Sequence, residues 1–416
     1  MSEKSYIWYR KAKAFGNKLC FILCRIFPIK NNRISICIFE GRSGFGCNPR
    51  YIVEELHKRN KDYEFIWFVN DMQKSFPDYI RKVPNTLWSR AYWLSTSKIW
   101  IDNYRKPYGT IKRKKQYYFQ TWHATIAFKS TGLLRKEAFS EMAYLVSKND
   151  SDMIDYVIID SRWCEAMYSK ALVYDGAFLK TGAPRCDVLY GDRKETRALF
   201  REKYGLKQTD KIVMFAPTFR EKSNNGVRSV YSEKWSVDFE RMLLNLAKRF
   251  GGNWCLCLRL HPQLVQDMMD DLNLDLKLKV IDISREDDMN VNLAAMDALI
   301  TDYSSAAMDA SFMRIPVFIY ADDIEKYIQD RGSILWDFSR LSEEIIKNNQ
   351  EMVPGIDTQL PYTVSRNNDE LERHILEFDE DKYAKQMDQF VKDVELIFDG
   401  QASSRVADKI ESFIKQ

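Results

Sequence analysis

Only four histidines occur in this chain of 416 residues, and two of them stand directly after apolar runs that read as β-strands. His123 follows "YYFQTW", and His261 follows "WCLCLRL" and precedes Pro262. Imidazole changes charge near neutral pH, so a histidine at a strand end is a candidate for proton transfer. A third run, "ALI", leads into Thr301, Asp302, Tyr303, Ser304 and Ser305 and then into the helical pattern "SAAMDASFM". A serine there is expected to cap a helix whose free N–H groups and dipole attract phosphate. A fourth run, "KIVMF", ends in Ala216-Pro217-Thr218-Phe219-Arg220. Taken singly, each has an ordinary structural reading, a satisfied histidine or a cap without a ligand. Together they point to a site that handles anions at strand ends.

The elements that must position these residues alternate between short β-rich runs and amphipathic stretches, the pattern of parallel sheets with crossover helices. "ISICIF", "EFIWFV", "KIWID", "YYFQTW", "YVIID" and "AFLKTG" form a first series. After the charged helical stretch "GDRKETRALFREKYG", a second series runs "KIVMFAPTF", "WCLCLRL", "LKVID", "ALITDY" and "PVFIY". Two Rossmann-like halves follow, with ligands expected at the carboxyl ends of their strands. The predicted division is an N-terminal segment 1–32, a domain 33–192, a domain 193–390 and a terminal helix in 391–416. No Walker-type loop and no G-x-G-x-x-G follows the first strand; the glycines at 41, 44 and 46 are spaced differently.

Length and an apolar content of 45% suit a folded chain of two domains. The net charge of +4 hides a marked asymmetry. Residues 1–30 hold seven Lys/Arg against one acidic residue, and "RKPYGTIKRKK" at 105–115 holds six against none, so the remainder is net acidic. The eight cysteines are scattered without paired metal spacing, which fits a reduced cytosolic setting. The apolar run "LCFILC" at 19–24 is far shorter than the roughly 20 residues of a spanning helix. Trp8, Ala12, Phe15, Leu19, Ile22 and Ile26 instead recur at alternating spacings of four and three, with Arg10, Lys11, Lys13, Lys18 and Arg25 mostly elsewhere. That pattern suits a basic amphipathic helix on an anionic membrane surface, or one packed on the protein's own core. The cluster at 105–115 reads as a solvated loop or as a contact with lipid phosphates.

Several motifs together resemble the bacterial CDP-glycerol glycerophosphotransferase family, membrane-associated enzymes that build teichoic acids and related phosphodiester-linked surface polymers. Trp122-His123-Ala124-Thr125-Ile126 stands where the family has Trp-His-Gly-Thr-Pro. Ala216 to Arg220, Arg259-Leu260-His261-Pro262 and Thr301 to Ser305 match further segments. So do Thr181 to Asp187, Tyr320 with Asp322, Tyr327 and Arg331-Gly332, and Ala402 to Val406. The match spans roughly residues 36 to 410.

The resemblance implies an α/β, GT-B-like fold of two Rossmann-like domains facing a cleft, with the donor on the C-terminal domain and the acceptor on the N-terminal one. It implies transfer of glycerol phosphate or ribitol phosphate from CDP-glycerol or CDP-ribitol to a polyprenyl-diphosphate-linked saccharide, with release of CMP. His123 is then the general base and His261 a second catalytic residue. Thr218, Arg220, Arg259, Asp302, Ser304, Ser305 and Arg331 are donor and phosphate residues. Trp122, Thr125, Lys129 and Arg185 lie on the acceptor side. No cofactor is required, Mg2+ is not indicated by the sequence, and no metal ligands are assigned. The protein is expected on the cytoplasmic face of the plasma membrane, and the absence of a further large N-terminal module points to a short-acting transferase. Ala124 in place of Gly and Ile126 in place of Pro alter the loop next to the base. A GT-B glycosyltransferase using a nucleotide sugar is the alternative. A nucleic-acid-binding protein is set aside because the aromatics lie within apolar patterns, as core residues do.

Overall fold

The computed structural model describes residues 3–124, 126–218, 220–224, 227–231, 236–260, 280–331, 334–336, 347 and 360–415. Thr125, Phe219, His261, Pro262, Gly332 and the side chain of Arg331 lie outside the described residues.

The chain divides into two compact units. The first comprises Met1–His123, Thr131–Asp187 and Ile397–Gln416. Its strands are β1 (Lys30–Cys37), β2 (Glu64–Val69), β3 (Ile80–Pro84), β4 (Ser97–Asp102), β5 (Tyr117–Gln120), β6 (Tyr156–Ile159) and β7 (Ala177–Lys180). They form a sheet in the order β3-β2-β1-β4-β5-β6-β7, all neighbours parallel. The near-continuous apolar runs are what a sheet covered on both faces requires. Ile34, Ile36, Phe65, Trp67, Ile99, Ile101 and Phe119 are each at most 1% exposed. β3 was not anticipated, because this edge strand carries Arg81 and Lys82 and ends in a proline.

The second unit comprises Ala124–Ser130 and Val188–Leu396. It contains β8 (Lys211–Ala216), a hairpin of β9 (Arg220–Asn224) and β10 (Val227–Tyr231), β11 (Trp254–Leu258), β12 (Val280–Asp282), β13 (Ala298–Thr301), β14 (Val317–Tyr320) and β15 (Thr363–Ser365). The six-stranded sheet runs β12-β11-β8-β13-β14-β15, again all parallel. Both sheets therefore reverse strand order beside their first strand, as Rossmann-type sheets do.

Two segments join a unit other than that of their chain neighbours. Residues 124–130 belong to the second unit because Leu335 N–H donates to Phe128 O (2.8 Å), Trp336 Nε1 donates to Ala127 O (3.0 Å), and Lys129 bridges Ile334. The terminal helix Ala402–Ile414 belongs to the first. Its Val406, Ala407 and Ile410 enter the core around β1, and Phe413 stacks on Tyr117 at 3.9 Å.

The helix Glu3–Leu23 carries two apolar stripes. Ile7, Ala14, Cys20 and Phe21 are buried, together with Asn17, whose Nδ2 donates to Tyr108 O at 3.0 Å. Gly109, at φ +85°, allows this fit: a Cβ there would sit 2.3 Å from Ala14 O. The other stripe, which includes Trp8 (72% exposed), Phe15 (64%), Leu19 and Ile22, lies in solvent, as does Ile26 (81%) in the turn that follows. The basic run 105–115 is neither wholly solvated nor wholly available to lipid. Lys106 is buried against Asp102, Lys112 pairs with Asp155, Arg105 donates to Ala171 O, and Arg113 donates to Phe27 O. Lys114 and Lys115 stay exposed.

The start of Ala402–Ile414 has no cap from its own chain neighbours, since Gln401 makes no side-chain capping bond. Asp187 supplies it, accepting from Ala402 N–H (3.1 Å) and Ser403 N–H (2.8 Å). Replacing Asp187 by Ala is expected to lower stability by about 1–2 kcal/mol, read as an earlier urea transition with an unchanged slope.

Candidate active site

His123 lies just past the carboxyl end of β5, and its surroundings are set by buried amides. Its Nδ1 is 2.8 Å from Asn103 O. A carbonyl only accepts, so Nδ1 carries the proton and the basic lone pair resides on Nε2. Asn103, just after β4, is fully buried, and its Oδ1 accepts from Phe39 N–H at 3.0 Å. The His123 ring lies 4.8 Å from Phe39 and 4.4 Å from Trp122.

The backbone here is strained on both sides of the ring. Trp122 has φ +47°, Phe39 +44° and Glu40 +57°, values that side chains other than glycine rarely adopt. The Trp122 conformation is held by hydrogen bonds. Gln120 Oε1 accepts from Trp122 N–H (2.9 Å), and Asn48 Nδ2 donates to Thr121 O and Trp122 O (3.1 Å each). Asn48 Oδ1 also accepts from the N–H of Arg185, a buried residue. Gln120 continues into a buried chain, with its Nε2 donating to Tyr118 OH (2.9 Å) and Tyr118 OH donating to Asp150 (3.1 Å).

In the second unit, Arg220 begins β9 inside a cage of its own. Its Nη1 reaches Asp302 Oδ2 (2.8 Å) and Thr218 O (2.6 Å), while Nε and Nη2 grip Asp323 (2.6 and 2.8 Å). Tyr303 and Tyr327 stack at 3.8 Å and face the guanidinium. Burial alone would lower the pKa of Arg220, but Asp302 and Asp323 outweigh it and hold the group charged. Asp302, 3% exposed, also accepts from Thr218 N–H (2.7 Å). The Arg220 and Asp302 charges thus fix the turn after β8 against the turn after β13.

Ser304 and Ser305 follow Asp302, half-buried. The helix starts at Ala306 without a side-chain cap from Ser305; Ser304 Oγ instead accepts from Ala306 N–H at 3.3 Å. Lys129, grouped by the sequence with acceptor-side residues, lies in the second unit, with its Nζ 3.4 Å from Thr218 Oγ1. Arg259 follows β11, and its Nη1 donates to Ile283 O. Burial pulls its pKa down, so it stays a poorly solvated cation. The structure brings Thr218, Arg220, Asp302, Ser304 and Lys129 to adjoining loops. The sequence reading missed Asn48, Asn103 and Asp323, whose partners are remote in the chain, and Gln120, whose bonds to Trp122 and Tyr118 depend on the turn after β5. Among the described residues no group of three or more His, Cys, Asp or Glu side chains is arranged to hold a metal ion.

The sequence description of CDP-glycerol:poly(glycerophosphate) glycerophosphotransferases matches residues 19–412. The teichoic acid poly(glycerol phosphate) polymerase of Bacillus spizizenii is 27% identical over 383 residues, covering 88% of this chain and 93% of the relative. That of Bacillus subtilis strain 168 is 25% identical over 358 residues, covering 82% of this chain but only 45% of the relative. A solved structure of the wall teichoic acid polymerase TagF has a similar fold, with a TM-score of 0.76 at 24% identity, covering 100% of this chain and 99% of that one.

Asp150, 3% exposed, has its pKa pushed up to about 7 by burial, with Lys106 opposing and Asp102 adding to the rise. The folded protein therefore holds this proton more tightly than the unfolded chain, where a carboxyl titrates near 4. Stability from this group is complete below about pH 4 and is lost as the pH rises to about 7, by at most about 1.4 kcal/mol per pH unit. Asp150→Asn is expected to flatten that slope and to raise the urea midpoint at pH 8.

Proposed function

Because this chain belongs to the CDP-glycerol:poly(glycerophosphate) glycerophosphotransferase family and is a transferase, we propose that it moves glycerol phosphate or ribitol phosphate from a CDP-alditol to a hydroxyl of a lipid-linked acceptor. The product enters teichoic acid or a related surface polymer. The observation that carries the reading is the tautomer of His123, whose Nδ1–H is tied to Asn103 O and whose lone pair is therefore on Nε2.

The acceptor hydroxyl is a weak nucleophile, and His123 Nε2 takes its proton as the oxygen attacks the β-phosphorus. The bond from the β-phosphorus to the bridging oxygen breaks, and its electron pair leaves on the α-phosphate of CMP. By family resemblance Thr218, Arg259, Ser304 and Ser305 stabilise charge on the two phosphates, and Lys129, next to Thr218, is a further candidate. Arg220 and Asp302 position those loops through their mutual ion pair. His261 and Arg331 are assigned to the donor by family resemblance, and Thr125 to the acceptor. Arg185 and Trp122 shape the acceptor side as supports of the His123 turn.

His123→Ala is expected to lower turnover at least about a hundredfold while calorimetric affinity for CDP-glycerol stays within twofold. Undiminished turnover of the variant on CDP-glycerol and a lipid-linked acceptor would remove His123 from the mechanism.

No helix among the described residues is long and apolar enough to cross a membrane. The solvent-facing stripe of Glu3–Leu23, flanked by exposed Lys11, Lys13, Lys18 and Arg25, supports peripheral binding to the anionic cytoplasmic face of the plasma membrane. Phe15→Glu combined with Ile22→Glu is expected to abolish co-sedimentation with phosphatidylglycerol vesicles and to leave the melting temperature unchanged, because neither side chain is buried. Equal sedimentation of variant and wild type would refute surface binding by this stripe.

A further inference from the structure

The strand order of the first sheet reverses between β1 and β4, so the loops leaving these two strands diverge and open a pocket at their carboxyl ends. Glu40, Arg90, Asp102, Tyr104, Arg105 and Lys106 contribute the polar lining. The enclosed part has room for about one water-sized group, so it admits the tip of a larger ligand.

Its hydrogen-bonding capacity is incompletely used. Among the described residues the Nε–H groups of Arg90 and Arg105 are buried with no acceptor and Asp102 Oδ1 is buried with no donor at hydrogen-bond distance, although Asp102 Oδ2 holds Lys106 Nζ at 2.5 Å and the backbone of Cys37 also favours the charged carboxylate. Asp102 is 2% exposed. Among the described residues neither arginine forms an ion pair with a carboxylate, although Glu40 favours the charge on Arg90 and Asp150 that on Arg105. Arg90 Nη1 donates to Asn85 O and Oδ1, and Arg105 Nη2 donates to Ala171 O. Burial lowers the pKa of both, as for cations whose lost hydration is not fully replaced. Leaving a buried donor or acceptor unmatched costs about 1–3 kcal/mol each.

Two fixed cationic donors beside one carboxylate acceptor call for a ligand that carries negative oxygens next to a hydroxyl. A sugar without phosphate would leave the arginines unmatched, and inorganic phosphate at neutral pH would meet Asp102 and Glu40 with little to donate. The pocket also shares a wall with the proposed base. The Tyr104 ring lies 6.3 Å from that of His123, and Asn103, whose carbonyl holds His123, falls between Asp102 and Tyr104.

We infer that this pocket takes the tip of a phosphate-bearing polyol end of the acceptor, a phosphate oxygen entering to accept from Arg90 and Arg105 while the neighbouring hydroxyl donates to Asp102 Oδ1. The assignment rests on the transfer reaction proposed above. It adds Arg90 of the helix Leu87–Thr96 and residues at the end of β4 and just after it to the acceptor side, none of which the motifs mark.

The test uses the full chain, a synthetic glycerol phosphate dimer as probe, and two variants, Arg90→Gln and Arg105→Gln, so that loss of the Asn85 or Ala171 bond in one does not decide the result. Calorimetry without donor is expected to show at least tenfold weaker dimer binding in both. Steady-state assays should show a tenfold higher KM for the acceptor with the KM for CDP-glycerol unchanged. Equal dimer binding by wild type and both variants would overturn the inference. So would a parallel rise in both KM values with a lowered melting temperature, which is what purely structural arginines predict. If the wild type binds the dimer through these arginines yet releases no CMP from CDP-glycerol, the pocket stands and the proposed reaction falls.

Discussion

The hydrogen bond from His123 Nδ1 to Asn103 O is the interaction on which the candidate site of the first unit depends. It sets which nitrogen is basic, and it ties the turn after β5 to the turn after β4. The same asparagine restrains Phe39, so three successive strand ends are linked around one imidazole. Positive φ at Phe39, Glu40 and Trp122 shows that this arrangement is held against local preference. Such strain is tolerated because Asn48 and Gln120 satisfy the displaced amides from buried positions.

The second unit solves a related problem with charge. Two turns that carry hydroxyls and amides, after β8 and β13, are fixed to each other by Arg220 between Asp302 and Asp323. Removing one partner from so buried a group leaves an uncompensated charge, at a cost of about 3–5 kcal/mol. Thr218 belongs to the same cluster, with Lys129 Nζ 3.4 Å from its Oγ1.

The strands were legible because sheets covered on both faces need continuous apolar runs, and each run read from the sequence forms a strand. β3 and the hairpin β9–β10 lack that signal. His123 was legible by rarity and by its place after a strand. Asn48 and Asn103 were not, since their value lies in groups brought close by folding, and an isolated asparagine reads as a turn residue. Asp323, 103 positions beyond Arg220, is likewise not apparent in the sequence as its partner. The helix Glu3–Leu23 offered two readings, membrane surface or core. The structure packs one stripe and exposes the other, which periodicity alone cannot separate. Phe39, Tyr104 and Trp122 surround His123 for the same reason that the polar supports stayed hidden, namely adjacency created by parallel strands ending side by side.

The claim at the centre of this account is that the chain transfers a phosphoalditol with release of CMP. Mass analysis of the acceptor and nucleotide after incubating the purified protein with CDP-glycerol, CDP-ribitol or a nucleotide sugar and a synthetic lipid-linked acceptor tests it most directly. The account predicts an acceptor heavier by phosphoalditol units, with CMP formed in equal number. An acceptor that gains a sugar with release of a nucleoside diphosphate, or one that stays unchanged with every donor, would contradict it.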